Sequence, residues 1–117
     1  MATITGTSTS ETLNGTSSND IINGLAGNDI LTGGTGADII DGGANDDTIN
    51  LANGDFAAGE SLTGGAGTDG IVLTNATTID LSDGTLATIE TFTGSGGNDD
   101  VTMDILDFVD FTTIDLA

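Results

Sequence analysis

The chain has 117 residues, 19 of them Asp or Glu, and a formal net charge of −19. It has no Lys, Arg, His, Cys, Pro, Trp or Tyr. Those absences exclude the classical zinc site, the Ser-His-Asp triad, the Cys-His pair and any disulfide. They also exclude a phosphate clamp or basic patch, so nucleic acid is not an expected partner. No apolar run reaches the ~20 residues that span a membrane, and Met1-Ala2-Thr3-Ile4-Thr5 shows no secretory leader. A carboxylate pair could in principle hydrolyse a glycoside, but there is no Trp or Tyr to seat a sugar, and no enzyme activity is expected.

High net charge with few aromatics is the composition of disordered chains. Here Leu, Ile, Val and Phe make up about a quarter of the residues, above the ~20% typical of disorder. A folded form must hold sixteen Asp and three Glu together with no internal cation. External cations solve this, and oxygen-rich acidic sites favour Ca²⁺.

From Gly6 the chain falls into blocks of nine: GTSTSETLN, GTSSNDIIN, GLAGNDILT, GGTGADIID and GGANDDTIN. Gly stands first (Gly6, Gly15, Gly24, Gly33, Gly42) and an acid sixth (Glu11, Asp20, Asp29, Asp38, Asp47). An aliphatic residue stands eighth (Leu13, Ile22, Leu31, Ile40, Ile49). Two further blocks, 64–72 and 94–102, supply Asp69 with Ile71 and Asp99 with Val101. The glycines suit tight turns. The last three residues of each block read as a short strand with one inward side chain. Two blocks then make one eighteen-residue coil, and the aliphatics form ladders between two parallel sheets. Asp and Asn are ordinary turn residues, but one acid at a fixed place in seven stacked turns points to metal binding.

The register breaks after Asn50. Residues 51–63 fit a nonapeptide with about four extra residues, with Asn53-Gly54-Asp55 as a turn and Phe56 over the core. Asp55 and Glu60 either add carboxylates there or belong to a solvated insertion. Residues 73–93 lack the nonapeptide and are expected to continue the two-sheet solenoid, with Ser82-Asp83-Gly84 as a turn and with Asp80 and Glu90 facing outward from strands. In the tail, Ile105, Phe108 and Phe111 suit a short helix begun by Asp104. Thr112–Leu116 repeats Thr77–Leu81 and suits a last strand.

GLAGNDILT, GGTGADIID and GGAGTDGIV resemble the G-G-x-G-x-D-x-U-x nonapeptide of the RTX (repeats-in-toxin) family. The resemblance implies an all-β, right-handed parallel β-roll or β-solenoid whose Gly-Asp turns bind several Ca²⁺ ions between adjacent coils. It implies carboxylate ligands at Asp20, Asp29, Asp38, Asp47, Asp69 and Asp99, and backbone carbonyl ligands from the Gly-rich turns at Gly15, Gly24, Gly33 and Gly42. Loops two blocks apart share an edge, pairing Asp20 with Asp38 and Asp29 with Asp47. The first block departs from the pattern at Thr7, Thr9 and Glu11, the second at Thr16 and Ser18, and the fifth at Asn45, where Asp46 is expected to face solvent.

The organisation expected is one solenoid domain over 1–117. Regular repeats fill 6–50, an insertion 51–63, irregular coils with two further repeats 64–102, and a tail 103–117 that caps the fold or serves as a type I secretion signal. The expected function is a secreted bacterial structural protein, extracellular or on the cell surface. It would fold on binding calcium and assemble head-to-tail as a homopolymer into a filament or surface layer, with the strand at 112–116 meeting the strand around Ile4 of the next copy. The alternative is an RTX folding module of a larger adhesin, toxin or secreted enzyme.

Overall fold

The computed structural model describes residues 1–75, 77–104 and 111–116. Short strands follow one another in chain order: β1 (Thr3–Thr5), β2 (Thr12–Asn14), β3 (Ile21–Asn23), β4 (Ile30–Thr32), β5 (Ile39–Ala44), β6 (Thr48–Leu51), β7 (Ser61–Ala66) and β8 (Gly70–Leu73). Then come β9 (Thr78–Asp80), a 3₁₀ turn (Leu81–Asp83), β10 (Thr85–Ala87), β11 (Thr91–Thr93), β12 (Asp100–Thr102) and β13 (Thr113–Asp115). The nonapeptide strands lie where the period places them, at the last three positions of each block.

The strands alternate between two sheets, one ordered β1-β3-β5-β7-β10 and the other β13-β11-β8-β6-β4-β2. Every pairing is parallel, because each strand meets the strand one full coil later. The eighth-position residues align into two ladders. One is Ile4, Ile22, Ile40, Leu62 and Leu86; the other is Leu13, Leu31, Ile49, Ile71, Phe92 and Ile114. The inner rungs of both ladders are buried, while the end rungs Ile4, Leu13 and Ile114 only partly cover the core. Each full burial of such a side chain stabilises by about 1.5–3 kcal/mol, so the ladders are the apolar spine of the solenoid.

The insertion lengthens one coil without disturbing the ladders. Ile40 meets Leu62 and Ile49 meets Ile71, a step of 22 residues in place of 18. Ala52–Asp55 closes a turn, with the Asp55 N–H donating to the Ala52 carbonyl at 3.0 Å, and Phe56 packs on the core. Past β8 the expected two-sheet continuation is incomplete. β9 and β12 pair as a separate two-stranded sheet, through Ile79 and Val101. The chain there runs longer between visits to the main sheets, and a third wall takes up the extra length. The helix expected from Asp104 through Ile105 and Phe108 to Phe111 falls mostly on 105–110, outside the described residues.

Candidate metal centre

Parallel stacking brings the sixth residues of alternate blocks above one another, and their side chains lace adjacent coils together. Along one edge the backbone N–H of Glu11 donates to Asp29 Oδ1 at 2.8 Å. Asp29 N–H donates to Asp47 Oδ1 at 2.8 Å, Asp47 N–H to Asp69 Oδ1 at 2.7 Å, and Asp69 N–H to Glu90 Oε2 at 2.8 Å. Along the other edge Ala2 N–H donates to Asp20 Oδ1, Asp20 N–H to Asp38 Oδ1 at 2.7 Å and Asp38 N–H to Glu60 Oε2 at 3.0 Å. The expected partners, Asp20 with Asp38 and Asp29 with Asp47, are therefore neighbours in these rows. Asp99 stands apart, accepting from Thr77 N–H at 3.1 Å beside the third sheet.

Each carboxylate has a second oxygen, and its surroundings divide the turns into two kinds. Where Thr or Ser stands second in the block, the turn satisfies its own acid. Thr16 donates to Asp20 Oδ2 from its backbone at 2.6 Å and from its hydroxyl at 2.7 Å. Thr7 serves Glu11 in the same way, and Ser95 serves Asp99. Where the second residue is Leu25, Gly34, Gly43 or Gly65, its φ is positive, at 77, 91, 109 and 113°. The second oxygens of Asp29, Asp38, Asp47 and Asp69 are then buried with no hydrogen-bond partner, and so is Glu60 Oε1. Leu25 holds this left-handed conformation without being glycine, which costs about 1–2 kcal/mol.

The electrostatics follow the same division. The Thr16 hydroxyl holds the Asp20 carboxyl below the usual Asp range. Burial pushes Asp38 and Asp69 upward, raises Asp47 to about 6 and raises Glu60 to about 7. A buried carboxylate oxygen with no donor is costly, and this chain has no basic side chain to pair with it.

The first-position glycines complete the setting. A Cβ on Gly24 would strike both Asp29 Oδ2 and the Gly42 carbonyl oxygen. On Gly42 it would strike Asp47 Oδ2 and the Gly64 carbonyl; on Gly64, Asp69 Oδ2 and the Thr88 carbonyl; on Gly33, Asp38 Oδ2. A carboxylate oxygen of one coil and a carbonyl oxygen of the next thus converge over an α-carbon that bears no side chain. On the second edge the Gly33 carbonyl overlies Gly15 in the same way. Hard oxygen donors from carboxylates and backbone carbonyls, in a flexible turn, suit Ca²⁺. Among the described residues no three acids surround one point, so any such donor set mixes single carboxylates with backbone oxygens.

One expectation needs correction, and one open choice is decided. Glu90 does not face outward from a strand: it ends the Thr88–Glu90 turn, partly buried, and occupies the sixth-residue place in the longer row. Of the two readings of Glu60, an added carboxylate or part of a solvated insertion, the first holds, since it is 1% exposed and completes the second row. The sequence reading also missed a second set of rungs at the fifth position, running in the opposite sense. Ser10, Asn19, Asn28 and Asp46 accept the fifth-position N–H of the next coil. Asp46 is exposed, as expected, but its Oδ1 accepts from Thr68 N–H at 2.9 Å. The polar residue that precedes most of these acids, with Ala37 the exception, was the signal available for this ladder.

Residues 5–39 and 24–55 match the family model described as the RTX calcium-binding nonapeptide repeat, four copies. No curated protein and no solved structure matches the chain. The matched segment contains the regular blocks whose strands, glycine turns and sixth-position acids are described above. Residues 5–55 are thus similar to the RTX calcium-binding nonapeptide repeat, and the fold is a parallel β-solenoid.

Proposed function

We propose that this chain is a calcium-folded structural module that works outside the bacterial cell. The observation that carries the reading is the set of five buried, unpartnered carboxylate oxygens among the described residues, on a chain with no basic side chain. Ca²⁺ held by Asp29, Asp47 and Asp69 on one edge, and by Asp38 on the other, would neutralise them, with the carbonyls of Gly42, Gly64 and Thr88 converging on the sites of the first three. Asp20 and Asp99 already have donors within their own turns and are the weaker ligands of the six. Gly15 contributes a place for an ion beneath the Gly33 carbonyl more than a carbonyl of its own. Where Ca²⁺ is scarce, as in a cytosol, the chain stays open; where it is abundant, the coils close. Circular dichroism in chelator and in millimolar Ca²⁺ tests this: β signal should appear with the metal, and a full β spectrum in excess chelator would refute it.

Head-to-tail assembly is supported by the sheet edges. Among the described residues, β1 and β2 have no strand partner on one side, nor do β10 and β13 on the other. Unpaired parallel edges of opposite polarity invite a heterologous contact that does not close, and such contacts make filaments. β13 lies in the sheet of β2, not of β1, so a junction that continues both sheets pairs β13 with β2 and β10 with β1. Electron microscopy with Ca²⁺ is the assay. Fibres lost on Ile4→Asp, with the monomer still folded, are the expected result, and a wild-type chain that stays monomeric at high concentration refutes assembly.

A further inference from the structure

Glu60 lies beyond the residues matched by the repeat family and outside the nonapeptide pattern. Its position is nevertheless built with care. The insertion folds as two successive turns: Asp55 N–H donates to the Ala52 carbonyl, and Glu60 N–H donates to the Ala57 carbonyl, both at 3.0 Å. The extra length carries Glu60 over Asp38, 22 residues earlier, where its Oε2 accepts the Asp38 N–H. The next coil fastens it from the other side, with Thr85 N–H on the Glu60 carbonyl at 2.9 Å and Gly59 N–H on the Asp83 carbonyl at 3.3 Å. The Phe56 ring lies against Gly84 and screens this corner.

Two oxygens remain. Glu60 Oε1 and Asp38 Oδ2 are both buried, on adjacent coils, and neither has a donor. Asp55 adds a third negative charge to the same neighbourhood. No side chain of this protein can neutralise them, which leaves a shared proton or an external cation. An all-oxygen, doubly anionic donor pair suits a large hard divalent ion.

We propose that Asp38 and Glu60 hold one Ca²⁺ ion at a site created by the insertion, so that the second edge keeps its metal where the nonapeptide pattern has lapsed. The inference deepens the calcium reading and rests on it. The glutamate is one methylene longer than the aspartate that stands in this place in the regular turns.

Calcium titration calorimetry on the whole chain, with circular dichroism to follow folding, tests the site. Wild type, Glu60→Gln, Asp38→Asn, the double variant and Asp29→Asn are compared. Glu60→Gln should bind one ion fewer and keep its β spectrum at saturating Ca²⁺. The double variant should lose no more ions than either single, because both residues serve one ion. Unchanged stoichiometry and affinity in Glu60→Gln would show that the pair holds a proton, and would overturn the proposal. Loss of two ions in the double variant, against one in each single, would overturn it as well. If Glu60→Gln does not fold, Glu60→Asp decides: one weakened ion supports the site, and unchanged binding refutes it. Failure of the broader reading looks different, since wild type would then take up no calcium, whereas failure of this site alone leaves Asp29→Asn defective and Glu60→Gln normal.

Discussion

Asp47 sits between two other acids of its row, and replacing it by Asn should have opposite effects with and without calcium. In the folded chain Asp47 Oδ1 accepts the Asp29 N–H at 2.8 Å, while Oδ2 is buried without a partner beside the place where the Gly64 carbonyl converges. Asn keeps the first interaction. Its amide nitrogen replaces Oδ2 and sets a donor where an acceptor faced an acceptor. In chelator at neutral pH, Asp47→Asn should therefore raise the β content, since it removes a charge that burial disfavours. In saturating calcium the sign reverses. One ion bound at a hundredfold excess over its dissociation constant contributes about 2.7 kcal/mol. Losing it should lower the Tm by on the order of 10 °C for a chain of this size. The chelator effect should fade below pH 6, because Asp47 is raised to about 6 and is then already neutral. Thermal unfolding followed by circular dichroism, in both media, reads all three quantities. Asp83→Asn, at an exposed residue of the 3₁₀ turn, is the control and should do nearly nothing. A shift of the same sign in both media, or an equal shift from the control, would mean a diffuse ion atmosphere in place of discrete sites.

The pH dependence of the metal-free chain follows from the same burial. Glu60 and Asp47 are raised to about 7 and about 6, so the folded form binds more protons than the unfolded one across that interval; in chelator, β content should grow as pH falls from above 7 toward 5 and be lost again on raising it. The calcium-loaded chain should weaken over the same interval as protons compete for the carboxylates, and dichroism against pH in each medium distinguishes the two slopes. Thr16→Val removes the hydroxyl that donates to Asp20 Oδ2 at 2.7 Å, so the Asp20 carboxyl should titrate higher by NMR, with no matching change at Asp69. Gly33→Ala forces a Cβ onto Asp38 Oδ2 and should lower calcium affinity and stability together, whereas Gly96→Ala, with nothing within 4 Å, should be close to neutral in calorimetry.

The nonapeptide makes much of this molecule legible without coordinates. Period nine with an aliphatic residue eighth yields short strands, and in-register parallel stacking turns a repeat along the chain into a ladder in space. That is why Ile22, Ile40 and Leu31, Ile49 could be aligned by counting, and why Asp29 and Asp47 were expected on one edge. The acid surplus with no basic residue already required an external cation. What counting could not reach depends on contacts 18 to 22 residues apart. The exception is each acid's second oxygen, which is settled inside its own turn: Thr16 satisfies Asp20, whereas Gly34 leaves Asp38 without a donor, a difference present in the sequence whose consequence shows only in the fold. Glu60 and Glu90 join the rows because the lengths of their connecting turns bring them under a neighbouring coil, although neither belongs to a regular block. The third sheet has the same origin: β9 and β12 find each other only after the coils lengthen. Local periodicity determines strands and turns because their spacing is internal to each block, whereas the rows that link one coil's N–H to the next coil's carboxylate are decided between coils and exist only once they are stacked.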